Sequence, residues 1–410
     1  MNKEKRVLLL CQHFYPEMIS TGMHMTELFS ALNRRGWAIT VCAAQPSLVL
    51  DGEGGRVPKR ILYQGIEVRR VWSIGSHSGR MLQRLLFASS YFCASLIFVI
   101  ANARRVDGIV LTTNPPFLGL LGVLAKKLFK KRYLYIVYDI YPDIAVKLGV
   151  IRRGGILQKI WDRVSKVTLA CADRNVVIGR DMLELVRGKL ANDRHGRIRL
   201  IPNWSDDQVV FPVPESTNEL KKEFCTGFAL TVQYSGRMAR THNLEPLIEA
   251  AEILKEESIL FQFIGDGAKK KMLQKMADER KLANVRFYPY QPIERLNEAL
   301  SMADVAVVCL EREFTGLSVP SKAYGIMAVA RPILGFMSPD SEIGRVIAET
   351  GCGIVLADPT GESVAAALRE MIKDEDRLKL MGEKGYLEYK RKYTLNVAAN
   401  RYSEAMNEVF

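Results

Sequence analysis

Residues 304–336 read DVAVVCLEREFTGLSVPSKAYGIMAVARPILGF. DVAVVCL (304–310) is a short apolar run with strand character. A loop with Gly316 follows, and a helix opens near Pro320-Ser321-Lys322, where a proline suits the first turn. PILGF (332–336) is the next strand. Strand, helix, strand in that order implies a parallel sheet with covered faces.

The same alternation extends in both directions. Upstream lie FALTVQYSG (228–236), ILFQFIGDG (259–267) and VRFYPY (285–290), each followed by a helix, and CGIVLA (352–357) lies downstream. The first half repeats the pattern. VLLLC (7–11) leads into residues 22–35, where Met25, Leu28, Phe29 and Leu32 fall at helical spacing. AITVCAA (38–44), a hairpin over 61–71 and a long apolar helix over 80–103 come next. GIVLTT (108–113), a helix over 117–130, YLYIVYD (133–139), a helix over 155–172, NVVIG (175–179) and IRLIPN (198–203) complete it. The join is expected in 203–227, rich in Pro, Asp, Ser and Glu. The fold class is therefore α/β, with two doubly wound Rossmann-like domains over 1–204 and 205–393. Each has its ligand crevice at the carboxyl ends of its strands, and one cleft is expected between them. The length of 410 residues suits two domains of roughly 200 residues each.

Charge is unevenly placed. The chain carries +13 overall, +18 over 1–205 and −5 over 206–410. One half thus suits an anionic partner, either nucleic acid or an anionic leaflet. Helix-turn-helix, RNP and aromatic-interleaved basic signatures are absent, which counts against nucleic acid. Seven widely spaced cysteines without C-x-x-C read as small buried hydrophobes in a reducing compartment. The amino-terminal apolar run is too short for a secretory signal and leads straight into a domain pattern.

Several familiar chemistries are missing. No G-x-G-x-x-G follows the first strand, no G-x-x-x-x-G-K-[ST] occurs, and no D-x-D follows a strand. No metal and no cofactor are expected. A diphosphate would instead need protein cations and backbone N–H groups.

Four constellations supply them. In GLSVPSK, the Ser321 hydroxyl, the Lys322 ammonium and a helix start form an anion site, against the plainer reading of a capped helix. In VQYSGRMARTHNLE (232–245), Gly236 permits close approach to a phosphate, Arg237 can grip two phosphate oxygens, and His242 adds a donor. In QHFYPEMISTGMH (12–24), Thr21-Gly22 precedes a helix. His13, Glu17 and His24 are polar groups that could hold an acceptor hydroxyl, with a structural histidine the competing role for His13. In YDIYPD (138–143), Asp139 and Asp143 could accept a proton or a sugar hydroxyl, with turn and cap roles equally open for Asp143.

The order and spacing of FYPE…TG, RRGWAITVCAAQP, TTNPPFLGLLG, DIYPD, IPNW, YSGRM…HNLE, FIGDGAKK, MADVAVV and GLSVPSKAYGIMAVARPIL resemble family 4 of the retaining glycosyltransferases over essentially the whole chain. The branch resembled is that of O-antigen and capsule enzymes, including L-fucosaminyltransferases. The resemblance implies a GT-B fold and metal-independent transfer with retention. It also implies a nucleotide-sugar donor, UDP-sugar favoured, bound mainly by the second domain, and a first domain that binds the acceptor. Segment 394–410 would cross back to the first domain. By position, Gly236, Arg237 and Gly265 would approach the diphosphate. Gly316, Leu317, Ser318, Ser321 and Lys322 would hold phosphate and sugar. Gly22 would approach the phosphate from the first domain, and backbone near Tyr290-Gln291 would meet the base. Arg237, Lys322 and Asp139 are the expected catalytic residues. Two glutamates that many relatives carry are replaced here by Leu317 and Gly325, with Glu311 or Glu313 as possible substitutes, and the usual lysine after Gly-Arg is His242.

Nineteen uncharged residues lie between Arg84 and Arg104. They read as a helix partly packed on the sheet and partly dipping into one leaflet, against a wholly buried core helix. Basic clusters at Arg104-Arg105, Lys126-Lys127, Lys130-Lys131-Arg132 and Arg152-Arg153 suit an anionic cytoplasmic membrane face. The implied acceptor is a saccharide on undecaprenyl diphosphate. Two other readings stay open: a non-hydrolysing nucleotide-sugar epimerase, and a membrane-bound nucleotide-sugar-binding subunit without transfer.

Overall fold

The computed structural model describes residues 5–17, 20–46, 57–74, 81–239 and 241–410. Met18 and Ile19 of the QHFYPEMISTGMH loop, Arg80 at the head of the long apolar helix, and Arg240 lie outside them. The chain divides into two compact units, Met1–Pro202 with Leu395–Phe410, and Asn203–Thr394.

Among the described residues, the first unit is built on eight strands: β1 (Arg6–Leu10), β2 (Ala38–Ala43), β3 (Arg60–Tyr63), β4 (Ile66–Arg70), β5 (Gly108–Thr112), β6 (Arg132–Val137), β7 (Arg174–Val177) and β8 (Ile198–Leu200). Their order is β3-β4-β2-β1-β5-β6-β7-β8, parallel except for the β3–β4 hairpin. Gln64 and Gly65 close that hairpin with φ of 47° and 83°. Two left-handed residues give the tight turn that matches strand twist. Strand order reverses between β1 and β5, so right-handed crossovers place helices on opposite faces. Helix Ser20–Asn33 packs with the carboxyl-terminal helix Leu395–Asn407, while Gly119–Phe129 packs against both Met81–Asn102 and Ile156–Cys171. The chain end is part of this unit's packing. The Phe410 ring meets Trp37 edge-on at 6.4 Å, and a Cβ on Gly108 would fall 2.0 Å from it.

Helix Met81–Asn102 has two apolar faces. Phe87, Tyr91 and Val99 enter the core, and the Tyr91 hydroxyl donates to the Cys42 carbonyl at 2.8 Å. On the other side Leu82 and Ile97 are 68% and 70% exposed, with Leu85, Leu86 and Ile100 also open. It is not a wholly buried core helix. Among the described residues, this stretch alone is long and apolar enough to cross a membrane.

The second unit carries β9 (Leu230–Ser235), β10 (Ile259–Ile264), β11 (Val285–Tyr288), β12 (Val305–Cys309), β13 (Ile333–Phe336) and β14 (Gly353–Leu356). Among the described residues they form one parallel sheet, ordered β11-β10-β9-β12-β13-β14. β10 and β12 are buried along their whole length, as strands covered on both faces must be. Order reverses between β9 and β12, which makes their carboxyl ends the switch point where ligands bind in such sheets.

The segment expected as the join, 203–227, belongs to this second unit, and the division falls at its head. Trp204 and Leu220 are buried, and helix Glu219–Phe224 is capped by Asn218, whose side chain accepts from the Lys221 N–H at 2.9 Å. Pro, Ser, Asp and Asn mark turns and caps as readily as linkers, so composition alone did not separate the two.

Candidate functional site

At the second unit's switch point, β9 ends in Ser235-Gly236-Arg237 and β10 in Ile264-Gly265. Register places Ser235 beside Ile264, and the Gly236 N–H donates to the Ile264 carbonyl at 2.9 Å. Gly236 and Gly265 sit at φ of +133° and +132°, and a Cβ on Gly265 would fall 2.3 Å from the Gly236 oxygen. Only glycine permits this backbone approach.

A Cβ on Gly236 would meet the Lys322 Nζ at 2.8 Å. Lys322 begins a seven-residue helix, Lys322–Ala328, after the loop that follows β12. Its Nζ is buried and has no hydrogen-bond partner among the described residues. Its one close neighbour of note is the Tyr234 ring, 3.9 Å away. Burial lowers the ammonium from its usual range to about 8. A buried cation without a hydrogen-bonding partner is costly, and an anion arriving at it would relieve that cost.

Tyr234 organises the neighbouring groups. Its hydroxyl donates to the Arg237 carbonyl at 2.7 Å and lies 2.7 Å from His242 Nδ1. His242 Nδ1 is also 2.9 Å from that carbonyl, which only accepts, so Nδ1 carries the proton. Burial first, and Lys322 second, push the imidazole down to about 4. The ring is therefore neutral near pH 7 and Nε2 is an acceptor. This departs from the donor role expected from sequence, because the one available proton is spent on the backbone. Nε2 suits a ligand hydroxyl better than a phosphate oxygen. The Arg237 side chain is exposed and has no ion pair among the described residues.

Around this centre, Gly316, with φ +76°, and Leu317 are buried, and Ser318 is half-buried. Ser321 precedes the helix without a side-chain cap bond. Tyr290 lies past β11, and a Cβ on Gly265 would come 3.2 Å from its ring. The Gln291 side-chain amide donates to the Pro289 carbonyl at 3.2 Å. The Glu311 N–H donates to the Thr241 carbonyl at 3.3 Å, which puts the Glu311 backbone beside the His242 loop, and burial raises its carboxyl above the usual range. Glu313 is exposed. Gly325 lies within helix Lys322–Ala328. Among the described residues, no group of three or more His, Cys, Asp or Glu could hold a metal ion.

In the first unit, His13, Glu17 and His24 are 1%, 1% and 5% exposed. His13 Nδ1 and a Glu17 oxygen lie 2.7 Å apart, and His24 is 3.9 Å from Glu27. A Cβ on Gly22 would fall 2.7 Å from the Glu17 carbonyl, so the helix start is wedged against this loop. Arg70 donates to the carbonyls of Ala44 and Tyr15. As placed, these side chains shape the loop after β1 and do not stand open to solvent. Asp143 is ion-paired with Lys189 at 2.8 Å.

Asp139 occupies a different setting. The Thr113 hydroxyl accepts from the N–H groups of Tyr138 and Asp139, fixing the turn after β6 against that after β5. The carboxyl borders a small recess of about 30 Å³, room for little more than a water molecule, at the carboxyl ends of these strands. Its wall is aromatic: Trp161 stacks on Tyr141 at 5.4 Å and meets Phe117 at 4.6 Å with the rings tilted by 32°. Burial raises Asp139 to about 6. The sequence reading found Asp139 but missed this wall, whose members come from three separate segments. Tyr234 was missed too, although strand alternation in VQYSG turns it to one side just before the Gly-Arg pair.

Residues 222–388 match the family described as Glycosyl transferases group 1, and residues 21–204 match the Glycosyl transferase 4-like domain. The chain is 30% identical over 351 residues to "Probable glycosyltransferase WbjE" of Pseudomonas aeruginosa, covering 85% of this chain and 84% of the relative. It is 25% identical over 379 residues to WcaI of Escherichia coli (strain K12), named for colanic acid biosynthesis, covering 90% and 92%. Anabaena HepE, solved in complex with UDP-glucose, superposes with a TM-score of 0.72 at 13% identity, covering 98% and 99%. The fold is GT-B.

Proposed function

The chain belongs to the group 1 glycosyl transferases, and from that premise we propose that it moves a sugar, with retention and without metal, from a UDP-sugar to a lipid-linked saccharide in bacterial surface polysaccharide synthesis. The observation that carries the donor half is the Lys322 ammonium, buried beside Gly236 at the switch point with no hydrogen-bond partner among the described residues. The donor's diphosphate lies against Lys322 and Arg237, and the two cations offset the charge that grows on the leaving phosphate. The choice of UDP draws on HepE, and the polysaccharide setting on WcaI.

In the proposed reaction the acceptor hydroxyl oxygen bonds to the anomeric carbon on the face from which the diphosphate departs. The carbon–phosphate-oxygen bond breaks, and the hydroxyl proton passes to the leaving phosphate oxygen. Products are the glycosylated acceptor and a nucleoside diphosphate. His242 Nε2 accepts a hydroxyl of the donor sugar, and Asp139 in the first unit takes an acceptor hydroxyl.

The exposed face of helix Met81–Asn102 supports a membrane-bound acceptor. Leu82, Leu86, Ile97 and Ile100 would enter one anionic leaflet, with Arg84, Arg104 and Arg105 at its two ends. Ile156, Leu157 and Ile160, interleaved with Arg152, Arg153, Lys159 and Arg163, extend this character along a second helix. An epimerase, which takes no lipid acceptor, has no use for such a surface. The expected location is the cytoplasmic face of the membrane.

Incubation with a UDP-sugar panel and a membrane extract, followed by NMR of the product, tests the proposal. Retained anomeric configuration is expected, and an inverted product would refute the same-face step.

A further inference from the structure

Lys269 is not among the groups assigned to the donor, yet it is bonded to the loop that carries two of them. It lies in the stretch Gly265-Asp266-Gly267-Ala268-Lys269 after β10, which is laid against the loop leaving β9. The Met238 N–H donates to the Asp266 carbonyl at 2.9 Å, and the Lys269 N–H donates back to the Met238 carbonyl at 3.1 Å. A Cβ on Gly267 would fall 2.4 Å from that same Met238 oxygen, so only glycine permits the contact. The Lys269 side chain then reaches the far end of the β9 loop. Its ammonium meets Glu245, the first residue of helix Glu245–Ile253, at 2.9 Å from one carboxylate oxygen and 3.0 Å from the other. The second of these oxygens also accepts the Leu244 N–H at 2.9 Å.

One residue thus holds both ends of a single loop. Its backbone is bonded next to Arg237, and its side chain is bonded three residues beyond His242. The pair is only 17% and 28% exposed, so water screens it less than an open surface pair. A direct phosphate contact is the rival role for Lys269. Glu245 already neutralises this ammonium, whereas the Lys322 ammonium is buried with no hydrogen-bond partner among the described residues. An incoming anion gains most at Lys322, and drawing Lys269 away would leave Glu245 without its cation. Behind burial and Lys322, the Lys269 charge also helps to hold the His242 imidazole below its usual range, which keeps Nε2 an acceptor.

We propose that Lys269 is a positioning residue of the donor site: paired with Glu245, it clamps both ends of the loop that carries Arg237 and His242, and so fixes where the guanidinium meets the diphosphate. The inference deepens the transferase reading above and rests on it for the identity of the ligand.

The test uses full-length protein with 15N-labelled histidine. The chain has five histidines, and His242→Gln identifies the resonance that matters. Without ligand, wild type should show His242 locked with the proton on Nδ1, as the Arg237 carbonyl requires. Lys269→Met should show a mixture of the two tautomers, and Lys269→Arg should restore the locked form. Glu245→Gln, which keeps the shape of the partner but not its charge, should behave as Lys269→Met does and serves if that variant fails to fold. UDP is then titrated, with the His242 resonance as the reporter. Lys269→Met should weaken UDP about tenfold, the order of coupling between groups in one salt-bridge network. Lys275→Met, at an exposed pair with Glu279, should leave UDP affinity unchanged. In an Arg237→Ala background Lys269→Met should cost less than about twofold, because the loss passes through Arg237. A locked tautomer in both Lys269→Met and Glu245→Gln, or an equal loss of UDP affinity with and without Arg237, would overturn the positioning role. UDP bound equally by wild type and Lys269→Met refutes that role alone. A wild type that takes no UDP refutes the donor reading, and the tautomer readout, which needs no ligand, still decides whether Lys269 holds the loop.

Discussion

The Lys322 ammonium lies 3.9 Å from the centre of the Tyr234 ring. The same tyrosine's hydroxyl bonds the Arg237 carbonyl and reaches His242, each at 2.7 Å. One buried side chain at the end of β9 thus supports all three polar groups assigned to the donor. Tyr234→Phe keeps the ring under Lys322 but removes the hydroxyl. Losing one buried hydrogen bond corresponds to about 1 kcal/mol, or roughly fivefold. Donor KM should rise by that order, and Tyr234→Leu, which also removes the ring, should cost more. Equal effects of the two variants in steady-state kinetics would place Tyr234 outside the site's energetics.

Lys322→Met should make the unliganded protein more stable and the enzyme inactive. The wild-type ammonium is buried without a hydrogen-bond partner among the described residues, and a methionine of similar shape removes its desolvation cost. A gain of about 1–3 kcal/mol is expected near pH 7. The sign with pH is fixed by the lowered value of about 8 against an ordinary 10.5. Between those values the unfolded chain binds more protons, so wild-type stability rises with pH. The advantage of Lys322→Met is therefore full below about pH 8 and shrinks as pH climbs towards 10.5. Denaturant melts at two pH values measure it.

Donor affinity should follow the same group. A diphosphate binds the protonated ammonium more tightly, so affinity is full below about pH 8 and falls as pH rises through it. The fall is up to about tenfold per pH unit. Calorimetry should also show proton uptake on binding above pH 8, seen as a dependence on buffer ionisation enthalpy. His242 does not contribute between pH 6 and 8, since its value of about 4 keeps it neutral in the free protein.

Ile97→Glu and Leu86→Glu should separate membrane contact from folding. Both side chains are open to solvent, so stability should change by no more than about 0.5 kcal/mol. Flotation with vesicles containing anionic lipid should drop sharply, whereas transfer to a water-soluble acceptor glycoside should persist. Undiminished flotation would move the contact elsewhere.

Strand succession was readable in both halves, because buried parallel strands are written as apolar runs punctuated by glycine, whereas helices Arg180–Lys189 and Glu219–Phe224 were not foreseen. The sequence also singled out Gly236-Arg237 and the loop into Lys322, which the structure brings side by side. Four things were not readable. The aromatic wall draws Phe117, Tyr141 and Trp161 from three segments that only the topology assembles. His242 looked like a phosphate donor until the Arg237 carbonyl fixed its tautomer. His13 and Glu17 resemble substrate ligands by type, but their separation of four residues lets them pair with each other inside the loop. Helix Met81–Asn102 could be read as core or membrane from composition, and only the exposure of Leu82 and Ile97 decides that it is not all core.

The most direct measurement is calorimetric titration of UDP-glucose and UDP-N-acetylglucosamine, with GDP-, dTDP- and ADP-sugars alongside, into wild type, Arg237→Ala and Lys322→Ala. Saturable binding of UDP-sugars to wild type is expected, weakened about a hundredfold or more in each variant, since each removes a charge-assisted contact to the diphosphate. Wild-type affinity retained in Lys322→Ala would contradict the assignment of this buried ammonium to the donor.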